Sequence, residues 1–250
     1  MAILAAPAAY SEVASNVTES EPGTLLGNYL SGRVARGDHD TAAAADFYSR
    51  ALAEDPNNEL ILEQAFLLET AAADWDSAIK LARELVRVEP SHRIAQFLLG
   101  CEAFKKGDYK DADEHFAAAR QGPIADLTSI LARAWVQQAA GKTDEALATL
   151  DSLSDADWAQ FYQRYHRALI ADVAGKRETA RIAFAQAFKK NPATLRVADA
   201  YARHALNTNN RKLAKQTLKT HIAKSAQHPL STALMAEIDS GKTPPLLVTS

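Results

Sequence analysis

Alanine stands at positions 44, 78, 112, 146, 180 and 214, a constant interval of 34 residues with no insertion or deletion. Alanine makes up about a fifth of the chain, so one coincidence would mean little, but six in register mark a repeated unit. A period of this length is that of a helical hairpin, too small to bury its own apolar face. Each hairpin must therefore stack on its neighbours, and the chain should be all-α: a right-handed α-solenoid of about six hairpins, with about thirteen helices in antiparallel pairs. Such arrays work by binding along an extended inner surface, which points to recognition rather than catalysis.

Other columns of the same register support this. Twelve residues before each alanine come Gly32, Phe66, Gly100, Ala134, Ala168 and Ala202, mostly small residues that let two helices approach closely. Four after it come Tyr48, Ala82, Phe116, Leu150, Phe184 and Leu218, and seven after it Ala51, Leu85, Ala119, Leu153, Ala187 and His221. Five before it stand His39, Ala73, Gly107, Gly141, Gly175 and Asn209; three glycines and an asparagine suit the left-handed turn that ends a first helix. Pro56, Pro90 and Pro192 follow the alanine by twelve, with Pro123 and Pro229 displaced by one and three, and end the second helix. Ala112 should sit where the two helices of the third hairpin touch, with no room for a larger side chain.

These residues carry a family resemblance. Leu99-Gly100, Phe104, Gly107-Asp108-Tyr109, Ala112, Phe116 and Ala119 resemble the tetratricopeptide repeat signature, and Asp55-Pro56-Asn57-Asn58 resembles its inter-repeat turn. The resemblance covers residues 25–228, in six units beginning near 25, 59, 93, 127, 161 and 195. Phe66 and His221 depart from the small residue usual at their positions. More loosely, the chain is similar to multi-repeat members of this family from α-proteobacteria.

What the resemblance implies is a groove walled by first helices. Carried over position by position, its lining would be Tyr29, Arg33, Phe97, Cys101, Phe104, Leu131, Trp135, Tyr162, Tyr165, Arg196 and Arg203, joined by Arg36, Glu63, Leu67, Thr70, Lys105, Gln138, Leu169, Asp172, Asp199 and Leu206. Members that hold a C-terminal carboxylate use lysine, asparagine and arginine at defined positions. Here those positions hold Tyr29, Arg33, Leu60 and Ile94, so that clamp is not built. The middle of the stripe is apolar and aromatic, with arginines toward both ends, which suits a peptide with apolar side chains and some acidic character. Some of these side chains could equally be core, packed between repeats.

The function expected is that of a protein-interaction scaffold holding a partner peptide or protein segment. The alternative is a structural part of a longer repeat protein whose groove is filled by its own chain; apolar sequence such as Leu246 to Val248 lying in the groove would favour it. No enzymatic motif is present. Gly141-Lys142-Thr143 lacks the first glycine of a phosphate loop, since Val136 stands there, and is read as a turn. Asp151, Asp155 and Asp157 lack the glycine and distal glutamate of a calcium loop; two of them lie where a helix N-cap is needed, and capping is the role expected. The seven histidines show no metal-ligand spacing, so neither cofactor nor metal is expected.

Composition sets outer bounds. Residues are 47% hydrophobic and 24% charged over 250 positions, as in an ordinary globular chain. A net charge of −3 provides no field for nucleic acid. Cys101, the single cysteine, excludes an intrachain disulfide, and no apolar run is long enough to span a membrane. Residues 1–24 read as a flexible tail, whose Ala2–Ala9 run is either a remnant of a secretory signal or an alanine-rich tail; the compartment is accordingly cytoplasm or cell envelope. At the other end, residues 229–240 have room for one helix, either a cap or the lead into further repeats, followed by an extended tail over 241–250.

Overall fold

The computed structural model describes residues 23–226 and 228–249. The expectations for residues 1–22 lie outside the described residues. Among the described residues there are thirteen helices and no strand. The first hairpins are α1 (Leu25–Gly37) with α2 (Thr41–Glu54), α3 (Glu59–Ala72) with α4 (Trp75–Val88), and α5 (Arg93–Lys106) with α6 (Tyr109–Ala118). They are followed by α7 (Pro123–Ala139) with α8 (Thr143–Asp151), α9 (Asp157–Val173) with α10 (Arg177–Lys190), α11 (Leu195–Asn207) with α12 (Arg211–Lys224), and the single α13 (Pro229–Asp239). The fold is an all-α helical repeat.

The turn inside each hairpin is the most regular feature, and its cause is local. His39, Ala73, Gly107, Gly141, Gly175 and Asn209 all adopt positive φ, between 59° and 80°. In each, the next residue's N–H reaches back five residues to a carbonyl of the first helix, from Asp40 to Ala35 (2.9 Å) through Asn210 to Ala205 (2.7 Å). This left-handed closure satisfies carbonyls that the helix end leaves open. The same next residue then starts the second helix, where Asp40, Asp74, Asp108 and Asn210 accept the N–H of Ala43, Ser77, Asp111 and Leu213. Second helices consequently begin at 41, 75, 109, 143, 177 and 211, each 34 after the last.

Alanine has a Cβ and is strained at φ 62°, where glycine is not. Ala73 is also exposed. Ala73→Gly is therefore expected to stabilise the fold by about 0.5–1 kcal/mol, read as a higher urea midpoint with unchanged slope.

The repeat alanines are where register becomes packing: Ala44, Ala78, Ala112, Ala146, Ala180 and Ala214 are all 0% exposed. Close approach is tightest at Gly32 and Gly100, where an added Cβ would lie 2.7 Å from the Tyr48 ring and 2.8 Å from that of Phe116. Phe66, the departure from this small-residue column, is fully buried. His221, the other departure, is buried and donates from Nδ1 to the Pro192 carbonyl at 3.0 Å.

The described chain forms two compact units, divided between residues 81 and 82. In the first, α1 packs on α2 and α2 on α3. In the second, each helix from α5 to α13 packs on the next, and α5, α7, α9, α11 and α13 also pack on one another in turn. First helices thus form one layer of that unit and second helices the other. Leu234 and Ile238 of α13 join Ala202, Ala205, Leu206, Ala214 and Leu218 in one buried cluster, so α13 covers the apolar face of the sixth hairpin.

Two unit boundaries differ from the expected ones. α7 and α9 start at 123 and 157, a turn before 127 and 161, while α6 and α8 are cut to 10 and 9 residues. At the first site Gly122 takes φ 88° and Pro123 occupies the first helical position, where its missing N–H costs nothing. At the second, the aspartates do not cap: the residue before α9 is Ala156, with no side-chain cap. Asp157 pairs instead with Lys190 (2.9 Å), and Asp151 with Arg167.

Candidate functional site

The earlier start of α9 adds a turn carrying Trp158, and this turn builds a cleft. Trp158, Phe161, Tyr162, Tyr165 and His166 line one side of it. Lys190, Asn191, Thr194 and Arg196, from the link between α10 and α11, line the other, enclosing about 660 Å³. Residues 158, 162 and 166, with 161 and 165, fall at helical spacing on one face of α9. Trp158 is 45% exposed and Tyr162 42%, so these two rings are not spent on the core.

Deeper in, the rings are held. Tyr165 donates its hydroxyl to the Arg196 carbonyl at 3.2 Å, and burial pushes its phenol up to about 12, so it stays a neutral donor. Trp135 on α7 donates its indole N–H to His166 Nδ1 at 2.9 Å. An indole can only donate, so Nδ1 must be the unprotonated nitrogen. Burial agrees, holding His166 down to about 4. The wall of the cleft is therefore aromatic and uncharged, while its rim carries exposed Arg196 and the paired Lys190 and Asp157.

Of the residues expected to line a groove, Tyr162, Tyr165 and Arg196 are brought together here. Trp135 and Leu131 are half-buried and pack against the cluster of Leu127, Ile130, Ala134, Leu150 and Ile170. Phe97 is half-buried edge-on to Phe116, with ring centres 5.0 Å apart. It also lines a smaller, separate cleft with Ile94 and Ile124. Phe104 is exposed beside Tyr109, and Cys101 is exposed on α5. In the first unit, Tyr29 lies edge-on to Tyr48, Arg33 is exposed, and Arg36 donates to Gln64 at 2.6 Å. Leu206 is 3% exposed and is core. Trp158, Phe161, His166, Lys190, Asn191 and Thr194 were not foreseen; the aromatic pairs Trp158–Tyr162 and Phe161–Tyr165, each four apart, are the signal that would have found four of the five rings.

Arg203 belongs to a second arrangement, with the tail that follows α13. Arg211 of α12 donates to the carbonyls of Ile238 (2.7 Å) and Gly241 (3.0 Å), fixing where the chain leaves the helix. Asn207 then donates to the Pro244 carbonyl at 2.9 Å and Arg203 to that of Pro245 at 3.1 Å. Asp199, 2.8 Å from Arg203 on the same face of α11, holds the guanidinium in place. Pro244 is buried, and Leu247 and Val248 pack against a core cluster that includes Leu169 and Ala171 of α9 and Ala200 and Tyr201 of α11. Apolar sequence of the chain itself thus lies on the first-helix layer.

The alternating stack of hairpins defines a helical-hairpin repeat protein. The tetratricopeptide repeat model matches residues 65–126 and 97–161. Over these residues the chain is similar to the tetratricopeptide repeat family. A tetratricopeptide repeat protein from Parabacteroides merdae is similar at 17% identity and TM-score 0.55, over 86% of this chain and 84% of that one. YrrB, described as having an unusual peptide-binding site, is similar at 16% identity and TM-score 0.52, over 77% of this chain and all of that one. A chain of the Naa15/Naa10 complex bound to HypK-THB is similar at 15% identity and TM-score 0.55, over 87% of this chain but only 34% of that one. At these identities the likeness is one of fold. The search of curated proteins found no match. No described helix is long and apolar enough to cross a membrane.

Proposed function

We propose that this helical repeat array is a non-enzymatic interaction scaffold that takes an extended segment of a partner protein into the aromatic cleft of α9. The observation that carries this reading is the exposure of Trp158 and Tyr162 beside Arg196. Large aromatic rings left open on a repeat surface offer contact area at low torsional cost and act as anchors. A neighbouring arginine adds a directional site for carboxylate. The partner segment is accordingly apolar with an acidic residue, rather than nucleic acid, for which a chain of net charge −3 has no general attraction. The peptide-binding description of YrrB supports the same class of role.

Peptides selected against the intact chain from a displayed library test this. Trp158→Ala with Tyr162→Ala is expected to weaken the selected peptides by at least about tenfold. Both rings being exposed, thermal stability should be unchanged. Arg196→Ala should weaken only peptides that carry a carboxylate. Equal binding by the parent and the double variant would exclude the cleft.

A further inference from the structure

We infer that Arg203 and Asn207 of α11 form a second recognition surface, specific for an extended proline-led apolar segment, and that residues 244–248 of this chain occupy it reversibly. This goes beyond the aromatic cleft and does not depend on it.

The ligand chemistry is written in the contacts. Both polar contacts fall on main-chain carbonyls, those of Pro244 and Pro245, so what is read is an extended backbone rather than particular polar side chains. Proline suits this role: its fixed φ pre-organises an extended segment, and it brings no N–H that would need a partner on the surface. Asn207 meets residue 244 and Arg203, one turn earlier, meets residue 245, so the segment runs antiparallel to α11. Beyond the prolines, Leu247 and Val248 pack on the α9–α11 cluster and supply the apolar part of recognition. Arg203 does not depend on the tail for its position, because Asp199 already holds it.

Occupation in cis rests on two hydrogen bonds and a few apolar side chains, on a short tether pinned by Arg211. A short tether presents its end at an effective concentration of order millimolar. Few contacts suffice at that concentration, and a free segment of the same chemistry competes once it reaches a similar level.

The test uses a fluorescent peptide spanning Lys242 to Thr249 and the intact chain. With Leu247→Asp and Val248→Asp in the protein, the cis segment loses its apolar anchor. The peptide should then bind at least about tenfold more tightly than to the parent. Adding Arg203→Ala and Asn207→Ala should abolish that binding. Equal binding to the parent and the tail variant, no binding to the tail variant at millimolar peptide, or indifference to the α11 substitutions would each overturn the inference. Methyl spectra of the unaltered chain give a second measurement that needs no tail variant. The Leu247 and Val248 methyls should be displaced by nearby rings such as Tyr201 and should move to random-coil positions as free peptide is added. Random-coil shifts from the outset would overturn the inference. So would shifts that depend on protein concentration, the sign of docking on a second copy. Neither readout involves Trp158 or Tyr162, so failure here leaves the aromatic cleft standing, and the reverse.

Discussion

Between pH 6.5 and pH 4 this protein is expected to lose about 3 kcal/mol of stability through one side chain, His166. The unfolded imidazole titrates near its ordinary 6.5, whereas in the folded protein burial holds it down to about 4. Above 6.5 it is neutral in both states and contributes no pH dependence. As the pH falls below 6.5 the unfolded state takes up a proton that the folded state refuses, and the balance shifts toward unfolding until the folded pKa is passed. The geometry gives the same sign: a proton on Nδ1 would face the N–H of Trp135 across 2.9 Å. Urea titrations of the parent and of His166→Gln at several pH values check this. The amide carbonyl of glutamine can accept the indole N–H but does not titrate. The stability difference between the two proteins should therefore shrink by about 3 kcal/mol from pH 7 to pH 4. A difference that stays constant with pH would mean that His166 is not held neutral.

The second large effect is expected in the core. Ala112 is fully buried in a cluster with Phe116 and Val136, against which Phe97, Ala103, Tyr109 and Ala132 pack. Ala112→Leu adds three carbons where no space exists, and overpacking of this kind costs about 1–3 kcal/mol. Ala118, on the same helix but exposed, serves as a control. Ala118→Leu should change stability by no more than about 0.5 kcal/mol. Thermal unfolding of the two variants side by side separates the repeat register from a general intolerance of leucine in α6; equal melting temperatures would refute the packing role of Ala112.

Much of the candidate site was only half legible in the sequence. Tyr162, Tyr165 and Arg196 followed from the repeat positions, but Trp158 did not, because the register placed the start of α9 near 161. Trp135 was expected to line a groove; it is half-buried, its indole N–H engaged by His166, so it builds the wall from behind. The tail could be seen to be apolar, but not which face it would meet.

What the sequence determined by itself was everything repeated locally. The 34-residue interval, the six left-handed turns and the starts of the second helices depend on a few neighbouring residues each, and six copies average out departures such as Ala73 and His221. Tertiary structure alone decided three things: the extra turns of α7 and α9, the cleft they open, and the docking of residues 244–248 on α11. Each depends on contacts far apart in sequence: Trp135 with His166, Arg203 with Pro245, the α9 rings with the α10–α11 link. Such contacts occur once, so they leave no period, and the choice between two adjacent helix starts or between a free and a docked tail is made by what each buries.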